Sequence, residues 1–245
     1  VKRLKKEDWS KERYFEELLW ATVLYRLVNR VETFESSGIP WCERYDRRAF
    51  KARLEQAAAD HHGHWVTSAH LTLPTHKAGK SKMDTYLETC DWLHKNIDKV
   101  VKDVSTYSPE DDATFMQETW EVLKRIPCVG GFIAYEILCD LIMAKVVPYS
   151  LNDWANAGPG CQRGIQLIFP KWAKERKWMK AMRYLQRNQE KYLPKDFPCW
   201  NDTPLSLRNI EHSLCEVSKM WKMKHGAGKC RCKFSPSTEQ LRLPI

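Results

Sequence analysis

Leu123-Lys124-Arg125-Ile126-Pro127-Cys128-Val129-Gly130-Gly131-Phe132-Ile133-Ala134 joins two helical patterns through a turn that carries a glycine pair. Upstream, Phe115, Thr119, Val122 and Leu123 recur at helical spacing, and downstream the run from Phe132 to about Ala144 reads as a fully buried helix. The spacing predicts a helical hairpin over about 115–144. Glycines allow a close backbone approach, and the second helix aims its first N–H groups outward. Val129, Gly130 and Gly131 would then offer bare amides to a phosphate, with Lys124 and Arg125 adding charge beside them. Such a grip holds a nucleic-acid strand without reading its bases. An ordinary helix–helix connection also favours proline and glycine. Both readings stand on this segment alone.

Outward from the hairpin, the chain is a series of helical patterns separated by stops. Phe15, Leu18, Leu19, Val23, Leu27, Val31 and Phe34 predict one helix from about Ser10, halted by Gly38 and Pro40. Phe50, Leu54 and Ala57 mark a second, ending near Gly63. A third runs from about Lys82 to Val101, and the hairpin's first helix opens at Ser108-Pro109-Glu110-Asp111. Three more follow the hairpin, near Gly160–Phe169, Lys171–Tyr192 and Thr203–Lys224. Val66 to Leu73 alternates like a strand but is too isolated to build a sheet. The expectation is an all-α bundle of about eight helices. Residues 1–245 read as one domain with an irregular tail over 229–245; two small subdomains sharing a cleft are the alternative. The opening at Val1 suggests a piece of a longer protein.

The 245 residues include 40 Lys and Arg against 31 Asp and Glu, a formal charge of +9, with an isoelectric point near 9.0. That sign favours a polyanionic partner, because neutralised phosphates release condensed counterions. No apolar run approaches a membrane span, and VKRLKKEDWS at the start lacks the apolar core of a signal peptide. No membrane partner is expected. The nine cysteines are an odd set, several of them within helical patterns (Cys90, Cys139, Cys215). We read them as reduced thiols of an intracellular protein.

The hairpin resembles the helix-hairpin-helix of the DNA glycosylase superfamily, whose pattern is Leu-Pro-Gly-Val-Gly, two residues, then Thr-Ala. Ile126, Pro127, Val129, Gly130 and Ala134 fill matching places, while Cys128 replaces the first glycine and Ile133 the threonine. That superfamily carries an aspartate after the hairpin, at the far end of the next helix, and Asp153 fits, 23 residues after Gly130. Its bifunctional members carry a lysine where this chain has Phe132, so lyase chemistry is not expected.

A closer resemblance is to the helical domain found with 5-hydroxymethyl-deoxyuridine DNA kinases and in α-glutamyl/putrescinyl thymine pyrophosphorylases. It rests on the hairpin and three further stretches. These are Leu27 to Phe34, then Asn152-Asp153-Trp154 with Gly158 to Gly164, then Ile210 to Glu216 with Lys219. The resemblance implies double-stranded DNA with a modified pyrimidine as partner, and a linked kinase or other DNA-modifying domain. It implies chemistry on a flipped 5-hydroxymethyluracil derivative, in which an amine displaces pyrophosphate. A monofunctional glycosylase for a modified pyrimidine and a non-catalytic reader of modified DNA are the alternatives. No cofactor is expected. The location would be the nucleus of a eukaryote or, for a phage protein, the host cytoplasm.

Asp153 is the first candidate for a catalytic carboxylate, with local capping as its plain role. Arg163 would sit in the first turn of a glycine-started helix, as an anion ligand or in a surface salt bridge. Asn29 and Arg30, near the end of the first helix, would line a cleft or face solvent. Glu211, His212, Glu216 and Lys219 fall on one late helix, where an exposed salt-bridged face is the usual explanation and cleft-lining the second. Three weaker signals carry little. His61-His62-Gly63-His64 and Cys230-Arg231-Cys232 lack the spacing of common metal sites, so no metal is expected. Pro74 to Ser81 ends in Gly-Lys-Ser but has proline where a phosphate-binding loop needs its first glycine. The eleven tryptophans read mostly as core, with one or two free to stack on bases.

Overall fold

The computed structural model describes residues 9–68, 73, 79–105, 112–194 and 204–228. Among them there are eleven α-helices, one short 3-10 turn and no strand. The helices are α1 (Lys11–Val28), α2 (Val31–Ser37), α3 (Arg47–Asp60), α4 (Lys82–Ser105), α5 (Asp112–Leu123), α6 (Gly131–Met143), α7 (Pro159–Ile168), α8 (Pro170–Lys174), α9 (Trp178–Arg187), α10 (Gln189–Tyr192) and α11 (Leu207–Lys224). The all-α expectation holds. The count exceeds eight because two predicted helices are broken.

The first break falls at Asn29. Its φ of 48° and ψ of 44° place it in the left-handed region, which asparagine tolerates better than most side chains. The chain turns there, and α2 starts a new axis at Val31. The Val28 carbonyl accepts from the Thr67 amide at 2.9 Å. On α2, the buried Thr33 hydroxyl donates to the Trp65 carbonyl at 2.8 Å. The predicted Lys171–Tyr192 helix is cut likewise, at Glu175–Lys177, where Arg176 has a φ of 54°, and at Asn188. The last helix starts at Leu207, behind a Ser206 cap paired reciprocally with Asn209. Val66 and Ser68 form bends; residues 69–72, Pro74–Ala78, Ser108–Asp111, Thr203 and the tail with Cys230–Cys232 lie outside the described residues.

Leu19, Trp20, Val23, Leu24 and Leu27 of α1 are fully buried, and the Trp20 indole N–H donates to the Pro40 carbonyl at 2.8 Å. α1 packs on α4 and α6, while α5 packs on α4 and α6. The most extensive helix pair of all is α7 with α11, to which α8 and α9 are joined. Extensive helix contacts therefore fall within two groups, α1–α6 and α7–α11. One apolar core runs through both. No helix is long and apolar enough to cross a membrane among the described residues.

Candidate functional site

The Val129 amide donates to the Ile126 carbonyl at 3.0 Å and closes the hairpin turn. Pro127 stands second in that turn and Cys128 third, with a φ of 65°. This is the type II pattern, in which the third place favours glycine. Gly130 caps α6 in an extended conformation (φ −81°, ψ 174°), and a Cβ on it would meet open space. A Cβ on Gly131, by contrast, would lie 3.0 Å from Trp120 Cζ2. The Trp120 indole and the Asn156 amide both donate to the Gly131 carbonyl, at 2.8 and 3.2 Å. Lys124 lays its ammonium over the Trp120 ring, 4.0 Å from the centroid, and pairs with Glu121 at 2.8 Å. Val129 is buried beneath the turn with its amide taken by Ile126, so it does not offer the bare amide expected of it, whereas Gly130 and Arg125 are exposed.

This hairpin forms one wall of a cavity of about 600 Å³ between the two helix groups. Trp120 and Lys124 line it from α5, and Gly131, Phe132, Tyr135 and Glu136 from α6. The loop before α7 and that helix's first turn close another side, and Glu211, His212, Cys215, Glu216 and Lys219 come from α11. The volume falls within the range of small-molecule sites.

An ion cluster joins the two groups at the cavity floor. Glu136 is 5% exposed, and a buried carboxylate needs partners. His212 Nε2 lies 3.0 Å from its Oε1, Arg26 Nη1 3.1 Å and Arg208 Nη2 3.4 Å from its Oε2. Burial pushes the Glu136 carboxyl up, but the His212 hydrogen bond and the Arg26 and Arg208 charges hold it below the ordinary range. One turn further along α6, Asp140 takes both Arg26 Nε and Nη2 at 2.6 Å. Glu211 differs. Burial pushes its carboxyl up to about 7, against the lowering influence of His212.

Of the residues singled out from sequence, Lys124, Gly131, Glu211, His212, Glu216 and Lys219 line this one cavity. The α11 stripe is therefore divided. Glu211 is buried and His212 half-exposed at the floor, while Glu216 and Lys219 pair at 2.6 Å on the exposed rim. Asp153 does not lie at the end of α6, which stops at Met143. It sits in the following turn, where its Oδ2 accepts from the Ser150 amide at 2.6 Å. Its neighbour Asn152 accepts the Leu207 amide at 3.0 Å and so seats the start of α11. Arg163 projects from the exposed side of α7 toward Ser218, 3.4 Å away. Asn29 and Arg30 lie at the α1–α2 break, Arg30 3.5 Å from Glu32, and Arg125 lies 3.7 Å from Asp103. None of these residues lines the cavity, and neither do Val129 and Gly130.

Sequence reasoning missed Glu136, Arg26 and Arg208. The signal was present in α6, where Glu136 and Asp140 stand four apart in an otherwise apolar helix. A carboxylate there demands cations from elsewhere. Among the described residues, no group of three or more His, Cys, Asp and Glu side chains is placed to hold a metal.

Among the described residues, the chain is an all-helical domain with a hairpin-walled cavity between two helix groups and charged side chains at its floor. The family described as 5-hmdU DNA kinase, helical domain, matches residues 6–230, and the chain belongs to it. Among curated proteins, the 5-hmdU DNA kinase of Bacillus phage SP10 is 27% identical over 165 residues, covering 62% of this chain. The matched stretch is 25% of that protein's length, so the chain spans about a quarter of it. No solved structure matches.

Proposed function

We propose that this domain grips duplex DNA at the α5–α6 turn and draws a pyrimidine derived from 5-hydroxymethyluracil into the cleft. There an amine displaces pyrophosphate from the base. The family supports the choice of base, since the relative from phage SP10 is named for 5-hydroxymethyl-deoxyuridine in DNA. Phosphorylation itself would belong to a linked kinase domain, because this chain has Pro74 where a phosphate-binding loop needs its first glycine.

The observation that carries the reading is the placement of the cleft. It opens beside the hairpin's Lys124 and Gly131, with Lys219 on the facing rim and carboxylates at the floor. A base must leave the duplex stack to reach such a floor. In the displacement, the nitrogen–carbon bond to the C5 methylene forms as the carbon–oxygen bond to pyrophosphate breaks. The departing pyrophosphate takes the bonding pair, and Lys124 and Lys219 stabilise its charge. The amine gives up its proton to a carboxylate of the cleft. In this reading Asp153 is scaffold for the turn that seats α11.

The test is to incubate the domain and a primary amine with duplexes carrying thymine, 5-hydroxymethyluracil or its pyrophosphate ester. Nucleosides are then analysed by mass spectrometry. An amine adduct with released pyrophosphate is expected from the ester alone. Free base would replace this reading with that of a glycosylase. Tight binding with every nucleoside unchanged would make the domain a reader.

A further inference from the structure

Glu136 and Glu211 reach the cleft floor from different helices, and a single imidazole nitrogen faces both. His212 Nε2 is 3.0 Å from Glu136 Oε1 and 3.6 Å from Glu211 Oε2. A carboxylate only accepts, so the His212 nitrogen that bonds Glu136 carries a hydrogen. The two acids are otherwise unlike. Arg26 and Arg208 both direct guanidinium nitrogens at Glu136. The Gly158 amide donates to the Asn156 carbonyl at 2.8 Å and exerts only a weak lowering influence on Glu211, as does Arg208 from a distance. The other neighbours of Glu211 are Tyr135 from α6, Cys161 from α7 and Cys215 from its own helix. Two acids in one site whose surroundings push their proton affinities apart define an acid–base assignment.

We infer that Glu211 is the catalytic proton acceptor of the cleft and that Glu136, acting through His212, is the residue that positions and poises it. The inference rests on the reading that the cleft takes a reacting base. As the amine nitrogen bonds to the carbon, its proton passes to the Glu211 carboxylate and the pair left behind stays on nitrogen. Glu211 later returns that proton to water at the cleft mouth. Glu136 stays ionised throughout, because its charge is matched by Arg26, Arg208 and the His212 N–H. A general base works best when its proton affinity lies near the working pH, and burial pushes Glu211 up to about 7.

The first arm of the test needs no substrate. Carboxyl resonances of protein labelled with 13C-glutamate are followed from about pH 4 to about pH 9. One resonance should titrate near neutrality and vanish in Glu211→Gln. Removing the Glu136 charge in Glu136→Gln should lower that midpoint, and His212→Gln, which removes a lowering neighbour, should raise it. The second variant keeps the test open if the first folds poorly. The second arm follows adduct formation against pH. Glu211→Gln should lose about 10²–10⁴-fold in rate while still binding the modified duplex, and the two positioning variants should shift the pH profile with their NMR midpoints. Absence of a neutral carboxyl titration overturns the inference. A Glu211→Gln protein as fast as the wild type overturns it too and leaves the displacement reading intact. Neutral titration in a wild-type protein that converts no duplex overturns both.

Discussion

Cys128 occupies a backbone position that its side chain makes costly. A non-glycine residue in the left-handed region costs about 1–3 kcal/mol, and Cys128 sits there with a φ of 65° at the third place of the hairpin turn. Glycine would relieve that strain, at the expense of greater freedom in the unfolded chain. Cys128→Gly is expected to raise stability by about 0.5–1 kcal/mol, and Cys128→Val, branched at Cβ, to lower it by at least about 1 kcal/mol. Urea midpoints that order as Val, Cys, Gly would bear this out; equal midpoints would show the turn to be unstrained. Glu211 sets a second expectation. Its carboxyl is raised from an ordinary 4.5 to about 7, so the folded protein holds a proton that the unfolded chain releases. Stability from this group is complete below about pH 4.5 and declines as pH rises toward 7, by about 3 kcal/mol in all. Glu136 is depressed instead, so its contribution is present above its ordinary value and is lost as pH falls. Glu211→Gln should therefore flatten the urea midpoint between about pH 5 and about pH 8, and be more stable than the wild type at the upper value. An unchanged slope would mean that Glu211 titrates normally. At this scale the sequence showed which residues face one another along α11, since helical spacing alone decides that. It could not show that Glu136 sits opposite them, because nothing local to α6 fixes what lies across a cleft.

Gly160 and Gly164 stand one turn apart on α7, and their role emerges only from the partner helix. A Cβ on Gly164 would fall against the Leu214 carbonyl, 2.8 Å from its carbon. A Cβ on Gly160 would strike the Cys215 side chain, whose Cβ lies 3.3 Å away. The two glycines thus let α7 and α11 approach closely, in the most extensive helix pair of the fold. The sequence offers Gly160-Cys161-Gln162-Arg163-Gly164 as an anion site or the seat of a surface salt bridge, yet the four-residue glycine spacing equally marks a packing face. Gly164→Ala meets immovable backbone and should cost about 3 kcal/mol, the upper part of the overpacking range. Gly160→Ala meets a side chain and should be largely rescued by Cys215→Ala. Thermal unfolding of the three single variants and the Gly160/Cys215 pair would check this, and additive losses in the pair would refute the contact. Periodicity located the bodies of the long helices and the hairpin because it reports which face is buried. It did not locate the breaks at Asn29 and Arg176. Apolar spacing continues across both, and only the left-handed backbone interrupts it.

At the scale of the whole molecule, two helix groups meet over a cleft, and the Glu136 cluster ties α6 and α1 to α11 across it. The charges at its floor are matched within the cluster, whereas the chain carries a formal +9. The favourable free energy for a phosphate backbone must therefore come from the rim and the outer surface. Lys124 is the rim cation with the most defined setting, stacked on Trp120 beside the turn. Its pairing with Glu121, a residue half-exposed to water, is weak enough to yield to a phosphate. Replacing Lys124 with alanine removes one phosphate contact and the counterion it displaces. Binding should weaken for thymine and modified duplexes alike, and the slope of log affinity against log salt should fall by about 1. Glu211→Gln, deep in the cleft, should leave that slope unchanged while altering discrimination between the duplexes. Fluorescence anisotropy over a salt series separates the two effects. A Lys124→Ala protein with the wild-type salt slope would place the duplex on some other face, and the hairpin would then be a structural turn beside a cleft that DNA enters from elsewhere.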